Sequence, residues 1–251
     1  MIDSKPLGIA FFGAGDVSPL HAEGVRRCAD TELVGLWNLD PAQGREKAAA
    51  FGCRTYDTPA ELLADPAIDA VSVLTNLESH LEFATMALEA GKHVLVEKPV
   101  GVSVAEIQSM QEVADRTGRV CMPGHNYVHE DSLIRSKELI DGGDLGRLVA
   151  IYVMYHIHHP ESVAARYPGV IRQILTHNAY VLLYLAGLPR QVSAMKATLH
   201  YEAIPQEDIA MVNITMENGA LAHFCASFAA DDHSADPWTM MVKVIGTAGS
   251  T

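Results

Sequence analysis

Positive charge is scarce in this chain: 18 Lys and Arg stand against 31 Asp and Glu over 251 residues, a formal net charge of −13. That balance makes nucleic acid and anionic membrane surfaces poor partners, because both are bound by clustered basic residues. Long apolar runs are missing too. None approaches the ~18 residues that a membrane-spanning helix needs, and the opening Met1-Ile2-Asp3-Ser4-Lys5-Pro6 holds no apolar signal-peptide core. The four cysteines, Cys28, Cys53, Cys121 and Cys225, are scattered without C-x-x-C spacing. Neither a zinc knuckle nor a disulfide framework is therefore expected. Internal repeats and low-complexity tracts are also absent from the sequence. These absences predict a soluble, cytoplasmic protein, long enough to bury a large core in one or two domains.

Two short stretches carry chemistry. Leu7-Gly8-Ile9-Ala10-Phe11-Phe12 reads as a strand, and Gly13-Ala14-Gly15-Asp16-Val17-Ser18 follows at once, a G-x-G-x-x-S turn leading into a helix. Gly13 permits the tight turn, and Gly15 lets the backbone approach a pyrophosphate at the helix N-terminus. Gly13, Gly15, Asp16 and Val17 are thus candidate dinucleotide contacts. The third fingerprint position needs only a small residue, and Ser18 suffices. A second strand over Glu32–Asn38 ends where an acidic residue ordinarily meets the adenosine ribose. Asn38 stands there, with Asp40 two residues on. Asn38 removes the repulsion an Asp would exert on a 2′-phosphate, but no Arg follows to attract one, and Asp40 is close; the balance favours NAD over NADP.

The other stretch is Lys92-His93-Val94-Leu95-Val96-Glu97-Lys98-Pro99, an apolar run that reads as a buried parallel strand. Pro99 removes a backbone donor and fixes the chain direction just after it. Ligands collect at the carboxyl ends of strands in open α/β sheets, which puts Lys98 where chemistry is expected.

Apolar periodicity predicts strands near 7–12, 32–38, 70–74, 93–97 and 119–123, with helices near 18–29, 41–51, 79–90 and 103–117. Such alternation implies a doubly wound parallel sheet. A boundary falls near Pro123-Gly124. Beyond it come a helix over 130–141, a long strand over 148–156, a helix over 170–185, and strands near 190–200, 207–216, 219–229 and 239–246. Glu217-Asn218-Gly219 is a hairpin signal between two of these, and the pattern is that of an antiparallel sheet with few helices.

Among twelve histidines, His156-Ile157-His158-His159 closes the long strand. Alternation points His156 and His158 to one face. They are read as lining a substrate pocket. Metal ligation lacks an acidic or Cys partner at ligand spacing, and ordinary polar surface is the remaining alternative.

Gly13-x-Gly15 with His21 beyond it, Asn38-Leu39-Asp40-Pro41, Val71-Ser72-Val73-Leu74-Thr75 with His80 downstream, and Ala90 through Pro99 are joined by further matching pieces. These are Gly124-His125-Asn126-Tyr127, Gly142-Gly143-Asp144-Leu145-Gly146 and Gly246-Thr247-Ala248-Gly249-Ser250. In order and spacing they resemble the glucose–fructose oxidoreductase / inositol dehydrogenase (Gfo/Idh/MocA) family of NAD(P)-dependent enzymes, over nearly the whole chain.

The resemblance implies an N-terminal Rossmann domain over 1–123 and a C-terminal α+β domain over 124–251 that binds substrate and forms homo-oligomers through its sheet. It adds Thr75, His80, Glu97 and Lys98 to the cofactor contacts. It implies that Lys98, Asn126, Gln173 and His177 face the substrate beside His156 and His158, and that Lys98 and His177 contact the reacting hydroxyl. The family's helix usually carries an Asp and, four residues later, a His; here the matching residues are Gln173 and His177. Gln173 can hydrogen-bond, and so orient the ring or the substrate, but it lacks the charge with which a carboxylate would raise the basicity of His177 and fix its tautomer.

The implied activity is hydride transfer to or from a hydroxyl or keto carbon of a sugar, inositol or related polyol. The alternatives are a non-catalytic dinucleotide-binding regulator of sugar metabolism and a redox-assisted eliminating enzyme with the same cofactor. Relatives usually continue beyond the turn at Gly246–Ser250, so the chain is expected to be incomplete at its C-terminus.

Overall fold

Leu7–Phe12 (β1) has no solvent-facing side over its second half, and its alternation divides the hydrophobic residues around it. Ala10 and Phe12 enter one buried cluster and Phe11 another, because successive strand residues point to opposite faces. β1 therefore lies inside a sheet covered on both sides.

The computed structural model describes residues 5–228 and 238–251, which divide into two compact units, Met1–Gly124 and His125–Thr251. In the first, β1 is joined by β2 (Thr31–Trp37), β3 (Arg54–Thr55), β4 (Ala70–Val73), β5 (His93–Val96) and β6 (Cys121–Pro123). All pairings are parallel, in the order β3-β2-β1-β4-β5-β6. This is the doubly wound order whose direction reverses between β1 and β4. α1 (Ser18–Arg27) and α2 (Pro41–Phe51) pack Ala22, Val25, Ala48 and Phe51 on the Phe11 side. α3 (Pro59–Ala64), α4 (His80–Glu89) and α5 (Val104–Thr117) bring Leu62, Leu88, Met110 and Ala114 to the other. Side chains of Asp40, Thr58 and Ser103 cap α2, α3 and α5 at their first turns.

The second unit holds α6 (Asp131–Asp141), β7 (Leu148–Ile157), α7 (Glu161–Ala164), α8 (Thr176–Ala186), β8 (Pro189–Ala197), β9 (Ile209–Met216), β10 (Leu221–Ser227) and β11 (Trp238–Gly246). The sheet order is β11-β7-β10-β9-β8, antiparallel except for the parallel pair β7–β10. Ile151 and Val153 of β7, Phe224 of β10 and Val212 of β9 pack with Leu133 of α6 and Val181 and Leu185 of α8. The opposite face carries exposed Tyr152, Met211, Leu221 and Met241.

The fold class expected from the sequence is the one observed: a parallel Rossmann-type sheet, then an α+β unit with a mostly antiparallel sheet. Three short elements, β3, α3 and α7, were not expected. The helix expected over 170–185 is in fact two pieces, a π turn over Ile171–Leu175 running into α8. A π turn spends an extra residue per turn, so positions 173 and 177 are not one regular α turn apart as their spacing suggested. The strand expected over 219–229 occupies Leu221–Ser227, after a turn in which Gly219 takes φ +85°; its expected last residue, 229, lies outside the described residues, as do residues 1–4.

Candidate functional site

In the first unit the sequence-derived residues gather at the carboxyl ends of parallel strands. Gly13 takes φ +94°, and a Cβ there would lie 2.8 Å from the Leu74 carbonyl oxygen. Only glycine meets both demands. Gly15 differs: its backbone is unstrained, and a Cβ built on it meets nothing within 4 Å. The turn thus leaves open space above Gly15, and no side chain caps the start of α1. Backbone N–H groups at an uncapped helix start, with room before them, suit a pyrophosphate. Asp16 is exposed and Val17 half-buried on the same turn.

Asn38 is committed to protein groups. Its Oδ1 accepts from the Ala14 N–H at 2.9 Å, while its Nδ2 donates to the Asp40 carbonyl and to Gln43 Oε1, both at 2.9 Å. It splices the glycine turn to the start of α2. Asp40 is exposed but held at the start of α2, its Oδ1 accepting from the Ala42 N–H at 2.9 Å.

Beyond β5, Glu97 Oε1 accepts from His21 Nε2 at 2.9 Å, and its Oε2 accepts from the Lys98 backbone N–H at 2.9 Å. Burial alone would raise the Glu97 carboxyl. The hydrogen bond from His21 and the charges of His21 and Lys98 outweigh it and hold the carboxyl below its ordinary value. Burial pulls the Lys98 ammonium down, against the opposing charge of Glu97. The Lys98–Pro99 peptide is cis. His80 is 2 % exposed; its Nδ1 lies 2.9 Å from the Pro99 carbonyl oxygen and its Nε2 3.1 Å from that of Thr75. His80 therefore ties the segment after β4 to the segment after β5. Thr75 Oγ1 accepts from Ser79 Oγ at 2.9 Å.

In the second unit, His177 and Asn126 meet through a residue that sequence reasoning passed over. His177 Nδ1 lies 2.7 Å from Tyr180 Oη, which donates to Asn126 Oδ1 at 3.0 Å. Tyr180 sits three residues after His177, the spacing that puts two side chains on one helix face, and that was the signal available. The His125 ring stacks on Tyr180 at 4.2 Å between centroids. Tyr127 and Tyr155 present edges to His177 at 5.1 and 5.5 Å. Gln173 lies in the π turn ahead of α8. His156 is on β7, opposite Ser227 and Thr239. His156 Nε2 and His158 Nδ1 are buried with no hydrogen-bond partner among the described residues.

A parallel sheet in this order, with a glycine turn opening onto a helix, defines a dinucleotide-binding α/β unit, here followed by an α+β unit. Residues 7–125 match the family described as an oxidoreductase family with an NAD-binding Rossmann fold, and residues 133–251 match the GFO/IDH/MocA C-terminal domain. The chain belongs to the GFO/IDH/MocA family of oxidoreductases, and its cofactor fold is the NAD-binding Rossmann type.

It is 28% identical over 232 residues to a 4-carboxy-2-hydroxymuconate-6-semialdehyde dehydrogenase of Sphingobium sp., spanning 89% of this chain and 72% of that protein. An inositol 2-dehydrogenase of Rhizobium meliloti is 30% identical over 197 residues, 76% of this chain and 59% of the relative. Among solved structures, GenD2 from gentamicin A biosynthesis, in complex with NAD, superposes with a TM-score of 0.88 at 28% identity, covering 98% of this chain and 72% of that one. The relatives' names include dehydrogenases, a reductase and uncharacterized oxidoreductases, which does not favour the non-catalytic alternative. Among the described residues no helix is long and apolar enough to cross a membrane.

Proposed function

We propose that the chain transfers hydride between NAD(H) and the CH–OH or keto carbon of a sugar, inositol or related polyol. The observation that carries this reading is Lys98, a half-buried ammonium at the carboxyl end of β5, its backbone N–H fixed by Glu97 and its pKa lowered by burial. A polyol as substrate is supported by the inositol 2-dehydrogenase among the relatives. Bound nicotinamide supplies or accepts the hydride.

The residues of this chain handle the proton and the charge. Lys98 donates to the substrate oxygen and stabilises the alkoxide that develops there. His177 takes the hydroxyl proton in oxidation and returns it in reduction. Asn126, Gln173, His156 and His158 are assigned to substrate hydroxyls, the unpartnered nitrogens of the last two being suited to them. Gly13, Gly15, Asp16 and Val17 are assigned to the pyrophosphate, with Asn38, Thr75, His80 and Glu97 shaping the cofactor site around them. The fixed Asp40 carboxylate favours NAD over NADP, whose 2′-phosphate it would repel.

By the same reading the protein works in the cytoplasm, and the uncovered face of the second unit's sheet joins copies of the chain. The test is reduced-nicotinamide absorbance across a panel of polyols and keto-sugars. Lys98→Ala is expected to lower kcat by about 10²-fold or more, and by more than His177→Ala does. Parental kcat in Lys98→Ala would overturn the assignment, and cofactor binding without turnover of any substrate would favour the regulator.

A further inference from the structure

The buried ring cluster of the second unit contains a directional hydrogen-bond chain. Asn126 Oδ1 is an acceptor only, so the 3.0 Å contact uses the single hydroxyl hydrogen of Tyr180. Tyr180 Oη also lies 3.3 Å from the Tyr127 backbone nitrogen, which can only donate. With its hydrogen committed to Asn126, Tyr180 Oη must act as acceptor in its 2.7 Å contact with His177 Nδ1. The hydrogen in that contact therefore belongs to the imidazole.

We propose that Tyr180 is a positioning residue that holds neutral His177 in the tautomer protonated at Nδ1, with the lone pair on Nε2. The inference rests on the reading of His177 as the proton acceptor. A carboxylate partner would set the same tautomer and also stabilise the imidazolium. A phenol oxygen that accepts from Nδ1 sets the tautomer and ring orientation without a full charge. Packing holds both side chains in place. His177 and Tyr180 are 5 % and 6 % exposed, and Tyr180 is clamped by the stacked His125 ring at an interplanar angle of 14°. The Tyr127 and Tyr155 rings meet His177 edge-on, with their hydroxyls 2.8 Å apart.

The direct readout is the tautomer, measured on the full chain by nitrogen-15 NMR with labelled histidine. The His177 signals are assigned by their loss in His177→Gln. Above the titration of the ring, the parent is expected to show Nδ1 protonated and Nε2 bare. Tyr180→Phe, which keeps the ring and its stacking, is expected to release that preference, shifting His177 toward the Nε2-protonated form. The same variant should lower kcat by roughly 10- to 100-fold with KM little changed, the range that losing an orienting partner gives. A parent with Nδ1 bare, or a Tyr180→Phe variant with an unchanged tautomer, would overturn the proposal whatever the activity. A tautomer that shifts as expected while kcat stays at the parental value would support the proposal and overturn the assignment of His177 as the base.

Discussion

Two glycines two residues apart do different physical work. Gly13 is required by the backbone: its φ of +94° and the Leu74 carbonyl oxygen 2.8 Å from a Cβ leave no place for a side chain. Gly15 is required by nothing inside the protein, since its Cβ would enter open space. The pair therefore separates folding from binding. Gly13→Ala is expected to destabilise the chain by about 1–3 kcal/mol, the range for a strained backbone position, seen as a lower thermal midpoint. Gly15→Val is expected to unfold at the parental temperature yet lose most NAD(H) affinity in calorimetry, because the side chain fills the space assigned to the pyrophosphate. Gly15→Val binding as tightly as the parent would show that the nucleotide lies elsewhere. Both glycines are legible in the sequence, but their division of labour is not, because it depends on Leu74, a residue brought alongside by β4 rather than by the local motif.

Elements whose burial is set by their own sequence were legible, and those set by context were not. β1, β4 and β5 read directly, because strands buried on both faces are continuous apolar runs. β3 is a two-residue pairing with Gly35 and Leu36, too short to leave a period. The π turn before α8 escaped because a helical period assumes 3.6 residues per turn throughout.

Asp208 is a further element-scale device without a sequence signature. Its side chain is buried, and its carboxylate accepts backbone N–H groups of Leu199, His200 and Tyr201 at 2.8–3.1 Å, closing the segment between β8 and β9. Burial alone would raise this carboxyl, but the three backbone donors outweigh it and lower it below its ordinary value. A carboxylate lowered by folding contributes stability that is fully present above its unfolded pKa, about 3.9. That stability is lost as pH falls through the lower folded value. Asp208→Asn keeps one acceptor oxygen and loses the charge. It is expected to cost about 1–3 kcal/mol at neutral pH and to flatten the acid limb of stability between pH ~5 and the folded value. Urea melts across that range decide it; parallel pH profiles for parent and variant would remove Asp208 from the account.

At the scale of the whole molecule, the uncovered face of the second sheet has a pattern that appears only once the register is known. Met241 pairs with Met154, Met154 with Cys225, Cys225 with Met211 and Met211 with Met195. All five strands thus place one sulfur-bearing residue in a single row across the sheet, on the side away from α6 and α8. Met195, Met211 and Met241 are exposed along this row. Methionine adapts its shape at low cost and packs well against a second copy of itself, and an exposed apolar row on a sheet is a common mark of an interface. The homo-oligomer proposed from the family resemblance would place this row at its centre. Met211→Lys, on a strand whose opposite face is anchored by Val212 and Ile214 in the core, should leave the fold intact while burying a charge in any sheet-to-sheet contact. Sedimentation velocity is expected to show the parent as a dimer or larger and the variant shifted toward monomer, with unchanged circular dichroism. A monomeric parent, or a variant that assembles as the parent does, would move the contact off this face, and the sulfur row would then be surface without a partner.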